Sequence, residues 1–206
     1  MTAPRVALLD YGSGNLRSAE RALDKVGADV RIVTSAVDVG SSAGVVVPGV
    51  GAFAACMAGV REVGGDEVVR MRVAADQPVL GICVGMQVLY DVGDEHGVAT
   101  DGIGVLSGRV QRLDADVLPH MGWNTVVAAE RSRLFAGVER ERFYFVHSYG
   151  VLAGGDGDAG TTVTQHGRSS FVAAVEKGSL SATQFHPEKS GDAGLQLLEN
   201  WVRSLG

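Results

Sequence analysis

Hydrophobic and polar positions alternate in two different ways along this 206-residue chain. Up to residue 82, short apolar runs take turns with amphipathic stretches. "RVALLD" (5–10) is rich in β-formers, and "GNLRSAERALDKVG" (14–27) sets Leu16, Ala19, Leu23 and Val26 on one helical face, with Gly27 as its stop. "ADVRIVTS" (28–35) reads as a second strand. "AGVVVPG" (43–49) is continuously apolar, as in a strand buried on both sides. Residues 52–75 read as helix, and "PVLGI" (78–82) as another buried strand. This order predicts a mostly parallel central sheet between helical layers, an α/β three-layer sandwich.

From residue 103 to 186 the pattern changes to strands, through "GIGVLSGRVQRL", "GWNTVVAA", "RFYFVHSYGVL", "TTVTQHG" and "SFVAAVEKGSLSATQFH". "EKGS" (176–179) reads as a hairpin turn, and the glycine-rich "AGGDGDAG" (153–160) as a loop tip. "GDAGLQLLENWVRSLG" (191–206) closes as an amphipathic helix. No repeat interrupts the pattern, and the length suits a single domain over 1–206.

Composition narrows the function classes. The chain is 46% hydrophobic with a net charge of −6, and its charge is scattered, which gives no support to nucleic-acid or anionic-membrane binding. No apolar run approaches the roughly 20 residues of a membrane helix, and "MTAPRVALLDYG" lacks the features of a signal peptide. Cys56 and Cys83 are too few for a disulfide framework and lack metal-ligand spacing. The expectation is a reducing, cytoplasmic setting with no metal or organic cofactor.

"GICVG" (81–85) has the form Gly-x-nucleophile-x-Gly, in which small flanking residues allow a sharp strand-to-helix turn and a helix N-terminus favours thiolate. Cysteine is equally at home as a small buried hydrophobe, and these five residues alone do not decide between the two readings. "QFHPEKS" (184–190) offers His186 a nearby acid: Glu188 lies two positions on, so at a strand end both would face one way. Seen alone it also fits a surface turn. "VVVPGVGAF" (45–53) ends a buried strand in mobile backbone N–H groups, suited to an oxyanion hole shared with the amide of Val84, or simply to a glycine turn. "DYGSGNL" (10–16) has Gly12 and Gly14 between strand and helix, but Arg17 stands where a dinucleotide fingerprint needs its third glycine. Cys56, in an Ala-rich apolar stretch, reads as core.

Taken together these stretches resemble the class I (triad) glutamine amidotransferases over essentially the whole chain. "DYGSGNLRS", "PGVGAF", "GICVGMQ", "PHMGWN", "FYFVHSY" and "QFHPEKS" in this order are similar to the glutaminase subunits of imidazole glycerol phosphate synthase in histidine biosynthesis. The resemblance implies a flavodoxin-like fold and hydrolysis of glutamine to glutamate and ammonia. It implies a catalytic triad of Cys83, His186 and Glu188, and an oxyanion hole at Val50, Gly51 and Val84. Glutamine would be held by Gly51, Gln87, Ser148 and Tyr149, leaving Phe143 and Phe145 to the core. It further implies a heterodimer with a barrel-shaped cyclase subunit, contacted through Asn15, His120, Trp123 and Lys189 around an ammonia exit. Met121, between two of these, reads as part of a turn with a Trp in the core. Family members often carry Leu where this chain has Val84, a position used through its backbone. Many also carry a further glycine where this chain has Val50. A β-branched residue resists positive φ, so the Val50 amide is expected to point away from the oxyanion site until partner and ligand turn it.

Overall fold

The computed structural model describes residues 2–13, 15–153 and 160–206. Gly14 and most of the glycine-rich segment expected as a loop tip lie outside them. The first half runs β1 (Arg5–Leu9), α1 (Leu16–Lys25), β2 (Asp29–Val33), α2 (Ala36–Val39), β3 (Gly44–Val47), α3 (Phe53–Glu62), α4 (Gly65–Ala74), β4 (Val79–Ile82) and α5 (Val84–Gln87). The second half adds β5 (Tyr90–Glu95), β6 (Val98–Asp101), β7 (Leu106–Arg112), β8 (His120–Thr125), β9 (Arg142–His147), β10 (Tyr149–Val151), β11 (Thr161–His166), β12 (Ser169–Lys177) and β13 (Leu180–Thr183). A 3₁₀ turn over Pro187–Lys189 then leads into α6 (Gly191–Arg203).

The central sheet has seven strands in the order β11-β12-β13-β4-β3-β1-β2. From β2 to β13 all neighbours pair in parallel, and β12 and β11 extend the sheet antiparallel. The continuously apolar runs account for the middle: β3 and β4 are buried at every position, as strands covered on both faces must be. The chain steps from β1 to β2 in one direction and from β3 to β4 in the other. Right-handed crossovers therefore send α1 and the α3–α4 pair to opposite faces. α6 returns to pack beside α1, and α2 lies against α4. The expected three-layer α/β architecture is what forms.

The helix expected over 52–75 is two helices. Gly64 adopts φ 70°, a left-handed conformation that ends α3, and a Cβ on Gly65 would come within 2.5 Å of the Leu9 side chain. The chain turns there so that α4 can approach β1 closely.

Two smaller sheets, β10-β7-β5-β6 and the β8–β9 hairpin, lie beyond the central one. In β8 the strand period of two sends His120 inward and Met121 and Trp123 outward. Met121 is 65% exposed and lies with Trp123 in a strand, which corrects the expected turn with a Trp in the core. Phe143 and Phe145 of β9 are fully buried, Phe143 stacked on Phe185 and Phe145 edge-on to it, as expected of an aromatic core strand. Among the described residues no helix is long and apolar enough to cross a membrane.

Candidate active site

Strand order reverses between β1 and β3, and in open parallel sheets the crevice beyond such a switch point binds ligands. The carboxyl ends of β1, β3, β4 and β13 carry Tyr11–Ser13, Pro48–Gly51, Cys83 and Gln184–His186 respectively.

Cys83 stands between β4 and α5 with φ 56° and ψ −115°, a conformation that costs an L-residue strain energy. The turn is imposed by its neighbours. Cys83 N–H donates to the Thr183 carbonyl at 2.7 Å, and a Cβ on Gly85 would fall 1.9 Å from the Val47 carbonyl oxygen, so only glycine fits there. The thiol is buried.

His186 follows β13, the parallel neighbour of β4, and its Nδ1 lies 2.8 Å from Glu188 Oε1. The expected pairing holds but not its expected origin. β13 ends at Thr183, and the 3₁₀ turn with Pro187 at its start, not strand alternation, brings Glu188 back to the ring. The His186 backbone is clamped from both sides. Its N–H donates to the Tyr144 carbonyl at 2.9 Å, its carbonyl accepts from Ser190 Oγ at 2.6 Å, and Tyr144 N–H donates to that same hydroxyl at 3.0 Å. Burial pulls the His186 pKa down, but Cys83 and Glu188 outweigh it and raise the value to about 9. His186 Nε2 is buried without a hydrogen-bond partner among the described residues. An imidazole oriented by a carboxylate, with a free nitrogen and a thiol beside it, is equipped to exchange a proton with a reacting group.

Two of the three expected oxyanion donors are otherwise engaged. Val84 N–H donates to the Gly49 carbonyl at 3.3 Å, and Val50 N–H to Ser13 Oγ at 3.2 Å. Both amides are thus occupied by protein acceptors in this structure. The Val50 carbonyl accepts from Ser13 Oγ at 2.7 Å and from the Cys56 thiol at 3.3 Å, while Tyr11 Oη donates to the Pro48 carbonyl. Cys56 is buried as expected, yet it also lies against the segment after β3. Gly51 is exposed with φ 96°.

Of the expected glutamine-binding residues, two meet directly: Gln87 Nε2 donates to the Tyr149 carbonyl at 2.8 Å. Ser148 is half-buried beside it, its carbonyl accepting from Leu113 N–H. Gln87 Nε2 also donates to Gln184 Oε1 at 2.9 Å, and Gln184 Nε2 donates to Cys83 Sγ at 3.8 Å. Gln184 was missed in sequence: it follows the end of β13, and no residue pattern there marks it out.

Asn15, Trp123 and Lys189 are exposed, Trp123 at 52% with its ring edge-on to Tyr144. His120 is not a surface residue. It is 5% exposed, stacked on Phe145 and His166, and burial lowers its pKa to about 4. It therefore serves the interior, and its assignment as a contact residue is corrected.

The sequence matches the family Glutamine amidotransferase class-I over residues 7–205. It is 58% identical to Imidazole glycerol phosphate synthase subunit HisH of Corynebacterium diphtheriae, covering 98% of this chain and 99% of that one. It is 59% identical to the protein of the same name from Nocardia farcinica, over 100% of both chains. In fold it resembles a crystal structure of glutamine amidotransferase, with TM-score 0.71 and 22% identity over 95% of this chain and 98% of that one. It also resembles the structure of PurLQS from Thermotoga maritima, with TM-score 0.72 and 18% identity over 100% of both.

Proposed function

The chain belongs to the class-I glutamine amidotransferases, and on that premise we propose that it is the glutaminase subunit of an imidazole glycerol phosphate synthase, acting in histidine biosynthesis. The reading rests on one juxtaposition above all. A cysteine on a strained elbow after β4 stands, across the parallel β4–β13 pairing, near enough to a buried histidine–carboxylate pair to raise the histidine pKa.

Cys83 Sγ, as thiolate, attacks the side-chain amide carbon of glutamine. The C–N bond breaks as His186, protonated, gives its proton to the departing nitrogen, releasing ammonia and leaving a thioester on Cys83. His186, now neutral, takes a proton from water, whose hydroxide attacks the thioester and returns glutamate and thiol. Glu188 fixes the ring through Nδ1 and stabilises its charged form, consistent with the raised His186 pKa. Gly51, Gln87, Ser148 and Tyr149 form the glutamine subsite.

Oxyanion stabilisation needs Val84 and Val50 amides that are bonded elsewhere here. Turning the Gly49–Val50 peptide would withdraw the carbonyl from Val84 and swing a second donor inward. This makes glutaminase conditional on the partner, a barrel-shaped cyclase subunit that consumes the ammonia and docks on the face carrying Asn15, Trp123 and Lys189.

Labelling with a glutamine-analogue electrophile in the presence of that partner tests the assignment. Selective modification of Cys83, sparing Cys56, is the expected outcome. Equal or absent labelling at Cys83 contradicts it.

A further inference from the structure

We propose that Gln184 is a further residue of the reaction centre, its side-chain amide donating to the Cys83 sulfur and holding it in register with the glutamine subsite. The inference rests on Cys83 being the nucleophile.

An amide side chain can be turned either way, so its orientation must follow from its partners. Here it can be traced from a group that has no ambiguity. The Tyr149 carbonyl oxygen only accepts, so the Gln87 terminus 2.8 Å from it is the NH₂. That same NH₂ lies 2.9 Å from the Gln184 side chain, so the Gln184 atom facing it is the oxygen. The other terminus of Gln184, its NH₂, therefore faces Cys83 Sγ at 3.8 Å.

The Tyr149 carbonyl is itself fixed from a second side. His147 Nδ1 lies 2.9 Å from it and must be the donor, which leaves His147 Nε2 to accept from His120 Nδ1 at 3.2 Å. His120 Nε2 in turn lies 3.3 Å from Asn124 Nδ2, an amide anchored by donation to the Gln165 carbonyl at 3.0 Å. Every contact has one consistent direction, from Asn124 to Tyr149 and from Gln87 through Gln184 to the nucleophile. Gln184 is 1% exposed and Gln87 3%, so water does not compete for these groups.

A buried N–H aimed at sulfur favours thiolate over thiol and keeps the sulfur from turning away from bound glutamine. Gln184 thus adds to His186 a second, uncharged stabiliser of the nucleophile, tied through Gln87 to a carbonyl at the glutamine subsite.

The test is the pH profile of iodoacetamide alkylation at Cys83, read by peptide mass in the full chain. Cys56 in the same molecules reports whether the core stays closed. Gln184→Met keeps the volume and removes the donor. Alkylation of Cys83 at pH 7 is expected to fall about tenfold, with the profile moved to higher pH by about one unit and Cys56 still protected. Gln184→Glu places an acceptor against the sulfur and is expected to move the profile the same way, providing the reading should the methionine variant expose Cys56. A Cys83 profile unchanged in a folded variant overturns the role of Gln184 while leaving the nucleophile assignment intact. A wild-type Cys83 no more reactive than Cys56 overturns both.

Discussion

Val84 N–H donates to the Gly49 carbonyl at 3.3 Å, so the amide that follows Cys83 is held by the segment after β3. Ser13 fastens the far side of that segment, accepting from Val50 N–H at 3.2 Å and donating to its carbonyl at 2.7 Å. Ser13→Ala removes both bonds. Glutamine turnover by the isolated chain is expected to rise about tenfold, with maximal turnover in the loaded complex changed less than about twofold. Steady-state assays of the chain with and without partner check this, and unaltered basal turnover would show that Ser13 does not hold the peptide.

Cys83 and Glu188 together raise the His186 pKa against burial, so removing the Glu188 charge must lower it. In Glu188→Gln the glutaminase rate is expected to fall about 100-fold or more, and the alkaline limb of its pH profile to move to lower pH. Stability follows the same sign. A folded-state pKa near 9 gives His186 a stabilising share that is complete below the unfolded value and disappears as pH rises through 9. Cys83 also raises this pKa and remains in the variant, so denaturant titrations of Glu188→Gln should show a smaller alkaline decline.

His120 and His147 work in the opposite sense. Burial lowers the His147 pKa to about 3, against the pull of the Tyr149 carbonyl, and that of His120 to about 4. The unfolded chain takes up these protons near its ordinary histidine value while the folded chain does not, so stability falls as pH drops below about 6.5 and levels off towards 3. Urea midpoints measured between pH 7 and pH 4 should decline, and His147→Asn should flatten the decline even where it lowers the midpoint at pH 7.

Trp123 is half-exposed, edge-on to Tyr144, whose carbonyl accepts from His186 N–H. A large aromatic beside the reaction centre is suited to anchor the partner. Trp123→Ala is expected to weaken binding of the cyclase subunit about tenfold or more, measured by titration calorimetry, while leaving the thermal stability of the isolated chain nearly unchanged.

The parts of this molecule that were legible in sequence are those whose signal is local. "VVVP" and "PVLG" are buried strands because no polar residue interrupts them, and the last helix declares itself by its apolar stripe. Cys83, His186 and Glu188 stood out only as a set, since each stretch alone also fits a structural role. What stayed hidden depends on distant or conformational partners. The Gly64–Gly65 pair marks the break, but its cause, the close approach of Gly65 to Leu9, is a contact between distant parts of the chain. The burial of His120 and exposure of Met121 follow from a strand that already begins at His120 and pairs with β9, which the sequence pattern placed only from Gly122 onward. Gln184 acquires its meaning only from Gln87, 97 positions away in sequence. The occupied Val84 amide is a property of backbone direction, which no residue type records.

The central claim is that Cys83 is armed while its oxyanion donors are withheld, and the turnover of glutamine with and without the partner tests it most directly. The account predicts slow hydrolysis by the isolated chain and an increase of about 100-fold or more when the cyclase subunit is present with its nucleotide bound. Comparable turnover in the two states would contradict it.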